Sequence, residues 1–452
     1  MSSPIHPLAV LNVVGLSSSL LPHAPNLRRL AEHGRTTRLQ PVLPAVTCSV
    51  QSSMLTGLPV HEHGVVGNGW LNEPQQEIQF WKQSNRLVHG EKVWETARRL
   101  AEQHGERFTC ANLFWWFNMA SSVDVAVTPR PQYRANGRKV PDIWTHPAGE
   151  RDTLQNELGQ FPLFRFWGPG SDIASSRWIT DAAMRIVDQH DPTLTLVYLP
   201  HLDYGLQKLG PDDPDIPQHV ADIDAVIGEL IDFFHKKNRQ VIALSEYGIE
   251  AVDTPIDVNR HLREAGLLTV RNEGGRELLD PIASRAFAVA DHQVAHVYHD
   301  PSIQPPKIPH CTATHIDHPR SGQTVLVADA GAWFTYDYWP ADRPDLAPDF
   351  ARTVEIHRKP GYDPRELFLG VSKASLAWKL AKKKLGFAQP LDVIPLDATL
   401  VKGSHGRTEN PQPLQPVMLG NHDITVDSTP CTEVRGAMLR AMFGNAIDTD
   451  QI

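Results

Sequence analysis

Short apolar runs alternate along this chain with segments whose apolar residues repeat at helical spacing. That alternation limits the fold more than any other feature. "LAVLNVVGL" (8–16) reads as a strand running into a turn at Gly15, and "APNLRRLAEHG" (24–34) as a helix stopped by Gly34. "CSVQSSMLTG" (48–57) and "KVWETARRLAEQHG" (92–105) read as helices, and "FTCANLFWW" (108–116) as a strand. "WITDAAMRIVDQHD" (178–191) predicts a helix and "TLTLVYLP" (193–200) a strand. A long amphipathic helix follows at 215–238, then the strand "RQVIALSEYG" (239–248). Strands joined through helices at this spacing predict an α/β fold, a mostly parallel sheet with helices on both faces.

Between 251 and 320 the pattern lapses into a polar stretch with "DHQVAHVYHD" (291–300) and the Pro-rich "PSIQPPKIP" (301–309). We expect a small cap or insertion there, and a core made of 1–250 and 321–452. "QTVLVADAGAWFTYDYW" (323–339) returns to strand-like runs, and "SLAWKLAKKKLG" (375–386) is helical. A chain of 452 residues is long enough for a large core.

Charge and cysteine usage narrow the function. The 43 basic residues face 52 acidic ones, a net charge of −9, and the one basic tract, at 382–384, reads as the solvent face of a closing helix. This disfavours binding to a nucleic-acid backbone, which needs clustered Lys and Arg. Cys48, Cys110, Cys311 and Cys431 form no CxxC pair, so neither a thiolate zinc site nor a disulfide framework is expected. The first apolar run has no basic region before it, and no stretch of about 18 apolar residues occurs. The expectation is a cytoplasmic protein with no membrane partner. Oligomeric state is not legible.

Ligands of a parallel sheet gather at the carboxyl ends of its strands. Val14 and Gly15 follow the first strand, and Thr47 opens a helix, where free backbone N–H groups favour an anion. Asp203 lies just past a strand with Gln207 four residues on; Glu246 and Tyr247 lie just past another; His405 stands in "GSHG" (403–406). Asn68 sits in "VGNGW".

At these residues the chain resembles the alkaline phosphatase superfamily, in its nucleotide pyrophosphatase/phosphodiesterase branch. The most specific part is "NLRRLAEHG…LPAVTCSVQSSMLTGLPVHEHGVVGNGW", followed in order by "PHLDY…GPD", "GAWF" and "GSHG". Within that branch it is similar to a bacterial subgroup encoded in ebo-type metabolite gene clusters. The resemblance implies an alkaline-phosphatase-like core and phosphoryl chemistry on two zinc-type ions. It puts the nucleophile on Thr47 and a phosphate-contacting amide on Asn68. One ion would be held at positions 14, 47, 246 and 247, the other at 203, 207 and 405.

Four of those positions depart from the family. Val14 cannot bind a metal, Gln207 is a weak neutral ligand, Glu246 is a longer carboxylate, and Tyr247 is a poor ligand unless ionised. The cofactor expectation is therefore one divalent, zinc-type ion at Asp203 and His405, or none. Thr47 and Glu246 are the candidate catalytic pair, with Glu246 as base. Asn68, Tyr247 and Gln207 are the candidate substrate contacts. Asn12 shares a strand face with Val14 but lies about 7 Å further back, too far to substitute for it. Each residue also has a plainer reading: a helix cap for Thr47, a hydrogen-bonded pair for Asp203 and His405, a turn for Asn68. The expected function is a phosphodiesterase- or nucleotide-pyrophosphatase-like hydrolase or transferase acting on an anionic, phosphate-bearing small molecule. The alternatives are a silent relative that binds a metabolite or partner protein, and a metal-independent reaction of another kind.

Overall fold

The computed structural model describes residues 5–135, 138–385, 387, 389–421 and 426–444. Gly386, which closes the expected helix at 375–386, lies outside them. A nine-stranded mixed sheet forms the centre. Its order is Ser428–Pro430, Arg35–Gln40, Val417–Asn421, Gln240–Leu244, Leu8–Val13, Leu194–Leu199, Cys110–Leu113, Val125–Pro129, Ile143–His146. The inner strands pair in parallel, as the alternating pattern predicts. Antiparallel pairs appear towards the margins, at Val417–Asn421 and at Ile143–His146.

All six residues of Leu8–Val13 are buried, because the strand is central and covered on both faces. Each large aliphatic side chain buried this fully contributes roughly 1.5–3 kcal/mol. Helices Pro25–His33, Ile173–His190 and Ile216–Lys236 pack on one another in one group. Thr47–Thr56, Val93–Gln103 and Glu433–Phe443 form another. The helix expected at 178–191 begins earlier because Asp172 caps it, accepting from the Ala174 N–H at 3.0 Å.

Two glycines mark tight places. Gly15 has φ +84°, the left-handed turn expected at the end of the first strand. Gly34 does follow its helix, but with φ −138° it is no left-handed cap. A Cβ there would stand 2.7 Å from the Gly420 Cα, so close packing against a neighbouring strand is what requires glycine.

The polar stretch holds more structure than its composition suggests. Strands Ala286–Asp291, Val294–His299, Thr324–Ala328 and Cys311–Thr314 form an antiparallel sheet in that order. The sheet runs past the boundary expected at 320. It packs on its own apolar cluster, including Phe287, Phe334, Tyr336 and Trp339. His292 and Gln293 form the two-residue turn of its first hairpin, with His292 at φ +60°. That hairpin points into the site.

Candidate functional site

Thr47 is the first residue of its helix, and Val46 precedes it in extended conformation. Its hydroxyl is not a helix cap. Asn68 does that work, its Oδ1 accepting from the Cys48 N–H at 3.0 Å. The Thr47 Oγ1 instead lies 3.1 Å from the Tyr247 hydroxyl. Tyr247 OH donates to Asp203 Oδ1 at 3.5 Å, and Gln207 Nε2 donates to Asp203 Oδ2 at 2.9 Å. Tyr362 OH donates to Gln207 Oε1 at 2.8 Å. The structure thus joins Thr47, Tyr247, Asp203 and Gln207 in one buried chain. Both ends of the Gln207 amide are committed within it.

Glu246 is fully buried beneath Thr47. Its Oε1 accepts from Asn12 Nδ2 and from Gln51 Nε2, both at 2.6 Å, while Oε2 has no hydrogen-bond partner. Burial pushes its carboxyl up to about 8, against the amides of Gln51 and Asn12 and the nearby Thr47 hydroxyl, and the nearby Asp203 adds to the rise. Burial likewise raises Asp203 to about 7, against hydrogen bonds from Gln207 and Tyr247. Asn12 therefore belongs to the site despite its setback along the strand, because its amide and the long Glu246 side chain close the gap.

Asn68 is held from behind. Its N–H and its Nδ2 donate to the two oxygens of Asp291, at 2.7 and 3.0 Å. His292 Nδ1 donates to Asp291 Oδ1 at 2.8 Å. His405 Nδ1 donates to the Ala45 carbonyl at 2.8 Å. With those protons fixed on Nδ1, the Nε2 lone pairs of both imidazoles are buried without partners among the described residues. The His405 ring stacks on Tyr247 at 3.5 Å and lies 3.8 Å from His292, whose ring stacks on Tyr362 at 3.7 Å. Burial keeps both imidazoles well below their ordinary acidity range, hence neutral. No three His, Cys, Asp or Glu side chains among the described residues are grouped to hold a metal ion.

Above this floor opens a cavity of about 1070 Å³. Trp81, Trp116, Trp167, Tyr204 and Tyr362 line it, with Arg130, Lys139 and Lys383 among its cationic groups. Trp81 and Trp116 meet edge to face at 5.1 Å. Trp81 and Trp116 face the cavity, while Trp70 and Trp115 are buried in apolar clusters. His292 and His296 are four apart but serve different places: His296 Nε2 bonds to the Val66 carbonyl at 2.9 Å. The Cys48 thiol is fully buried, and burial raises it, so it is not activated by the helix start.

The sequence does not single out Gln51, Asp291 or Tyr362, and it offers His292 only with His296, as a pair at metal-ligand spacing. Gln51 had a signal, standing one helical turn after Thr47. Tyr362 had none, since it arrives from a loop.

A family model described as type I phosphodiesterase / nucleotide pyrophosphatase matches residues 8–363. The chain belongs to this family. It is a family of phosphoester hydrolases within the alkaline phosphatase superfamily. An uncharacterized pyrophosphatase/phosphodiesterase of Schizosaccharomyces pombe is 24% identical over 236 residues, 50% of this chain and 40% of that protein. The aligned part thus spans well under two thirds of that relative. Murine ectonucleotide pyrophosphatase/phosphodiesterase 5, solved as an inactive variant with AMP, aligns with a TM-score of 0.57 at 12% identity, covering 98% of this chain and 96% of that one. The human protein of the same name aligns with a TM-score of 0.54 at 13% identity, over 96% and 93%. At such identities the likeness is one of fold, and it bears out the expected α/β architecture. No described helix is long and apolar enough to cross a membrane.

Proposed function

We propose that this family member binds an anionic, phosphate-bearing small molecule over Thr47 and acts on it as a hydrolase or transferase without the two-zinc centre. The carrying observation is the Thr47 hydroxyl at a helix start, 3.1 Å from Tyr247 and near the buried Glu246, on the floor of the cavity. The donor set does not fit a zinc pair. Val14 is a buried aliphatic residue, Tyr247 stacks on the His405 imidazole, and the Gln207 amide is bonded at both ends. Glu246, Asp203 and His405 remain the metal-ligand types, and no step of the reaction requires an ion.

In this reading Glu246 takes the Thr47 proton as the Oγ–P bond forms and the bond to the leaving oxygen breaks. The same proton is then available to the leaving oxygen. Tyr247 orients the Thr47 hydroxyl, and Asn68 holds the helix start in register. Water in a hydrolase, or an acceptor alcohol in a transferase, then attacks phosphorus as the Thr47 Oγ–P bond breaks, and its proton passes through Glu246 back to the Thr47 oxygen. Arg130, Lys139 and Lys383 favour an anionic ligand, and the AMP carried by the murine relative supports a nucleotide-like one. The four free thiols suit a reducing, cytoplasmic setting.

Turnover of bis(4-nitrophenyl) phosphate by chelator-treated protein is the direct test. Activity should persist without added zinc and fall at least about 100-fold in Thr47→Ala and in Glu246→Gln. Unchanged activity in Thr47→Ala, or activity only with zinc, would refute the reading. The commitment of Asp203 and Asn68 to protein partners favours a second reading, a silent relative that binds a metabolite. AMP binding by calorimetry with no turnover would select it.

A further inference from the structure

The helix Lys373–Lys384 turns apolar residues towards solvent. Ala374, Ala377, Trp378, Ala381 and Leu385 follow one another at helical spacing along one face, and all are exposed. Trp378 is 62% and Leu385 75% exposed, and Phe387, just beyond, is 65% exposed. An apolar stripe of this kind needs a covering partner or a function.

The charge around the stripe indicates which. The helix carries five lysines and no acidic residue, in a chain of net charge −9. Lys379 is paired with Asp392. Lys373 has no such partner among the described residues, and the Lys382 ammonium lies 5.2 Å from the Trp378 ring, at the edge of the stripe. A second copy of this chain docked by twofold symmetry would set this lysine-rich helix against itself, which like-charge repulsion opposes. An anionic bilayer offers both things the helix lacks: an apolar layer for the tryptophan and leucine, and negative headgroups for the lysines.

The helix also stands at the cavity mouth. Leu376 and Lys383 line the cavity, together with Leu369, Phe387 and Leu391 from the flanking chain. The exposed stripe and the cavity lining are therefore two faces of one element.

We propose that the helix Lys373–Lys384 docks this protein on an anionic phospholipid surface, with Trp378 and Leu385 entering the headgroup region and the cavity mouth beside the lipid. The contact lies on the bilayer and spans nothing. It does not depend on whether Thr47 is catalytic.

Co-sedimentation of the full chain with vesicles tests it. Phosphatidylcholine vesicles and phosphatidylcholine–phosphatidylglycerol vesicles are compared at low and high salt. Binding is expected to the anionic vesicles, weakened by salt. It should fall at least about tenfold in Trp378→Glu/Leu385→Glu, and roughly fivefold for each of Lys373→Gln and Lys382→Gln. Circular dichroism separates unfolding from lost docking, and the two lysine variants keep the test open should the double variant misfold. No binding to anionic vesicles overturns the proposal, as does equal binding by the folded double variant and the lysine variants. A dimer in solution that Trp378→Glu dissociates assigns the stripe to a second copy and overturns it too.

Discussion

Glu246 is a fully buried carboxylate held by two amides. Asn12 and Gln51 both donate to the same oxygen, and the other oxygen has no partner among the described residues. Because burial lifts its pKa from the ordinary 4.5 to about 8, the folded protein keeps a proton that the unfolded chain loses between those values. Stability contributed by that proton is present below about pH 4.5 and is lost as pH rises towards 8. Glu246→Gln keeps the shape and has no charge to bury. Its melting temperature relative to wild type should therefore rise between pH 5 and pH 9, by several degrees. A difference that stays constant with pH would mean that Glu246 is ionised throughout. The same raised value makes Glu246 a stronger base than an ordinary carboxylate, so turnover at Thr47 should climb with pH up to about 8.

The loop that delivers Tyr362 to the site is fixed by a buried ion cluster. Lys359 Nζ lies 2.8 Å from Asp363 and 2.6 Å from Glu366, while Arg365 reaches Asp363 and Asp337, each at 2.7 Å. Burial works to raise Asp363, but the charges of Arg365 and Lys359 outweigh it and hold its carboxyl below the usual range. Removing one partner strands the others in the interior. Asp363→Ala should cost about 3–5 kcal/mol in urea unfolding. Its effect should be complete above the ordinary Asp value of 3.8 and shrink as pH falls below it, where wild type also loses the charge. A loss under about 1 kcal/mol would show the cluster to be dispensable. Elements of this kind were hard to read in advance. The parallel strands announced themselves by apolar runs, as in Leu194–Leu199. Ala286–Asp291 is just as buried, but it lay inside a stretch whose turns and charges hid it.

Across the whole molecule, the nine-stranded sheet carries the family fold and its strand ends deliver the site. A resident zinc pair would stabilise the native state by binding it alone. With this donor set, chelator treatment should leave the melting temperature unchanged, and metal analysis should find fewer than two zinc ions per chain. A fall of several degrees on chelation, or two ions per chain, would contradict that expectation. The sequence by itself determined the central strands, the helices between them, the position of Thr47 at a helix start and those of Asp203, Glu246 and Tyr247 just past strand ends, because those depend on local periodicity and chain order. Only the tertiary structure decided that Asn12 and Gln51 meet on Glu246, that Asp291 backs Asn68, and that His292 and His405 stack between two tyrosines. Those partners lie far apart in the chain, and close packing across the interior, which leaves no trace in the spacing of any one segment, is what brings them together.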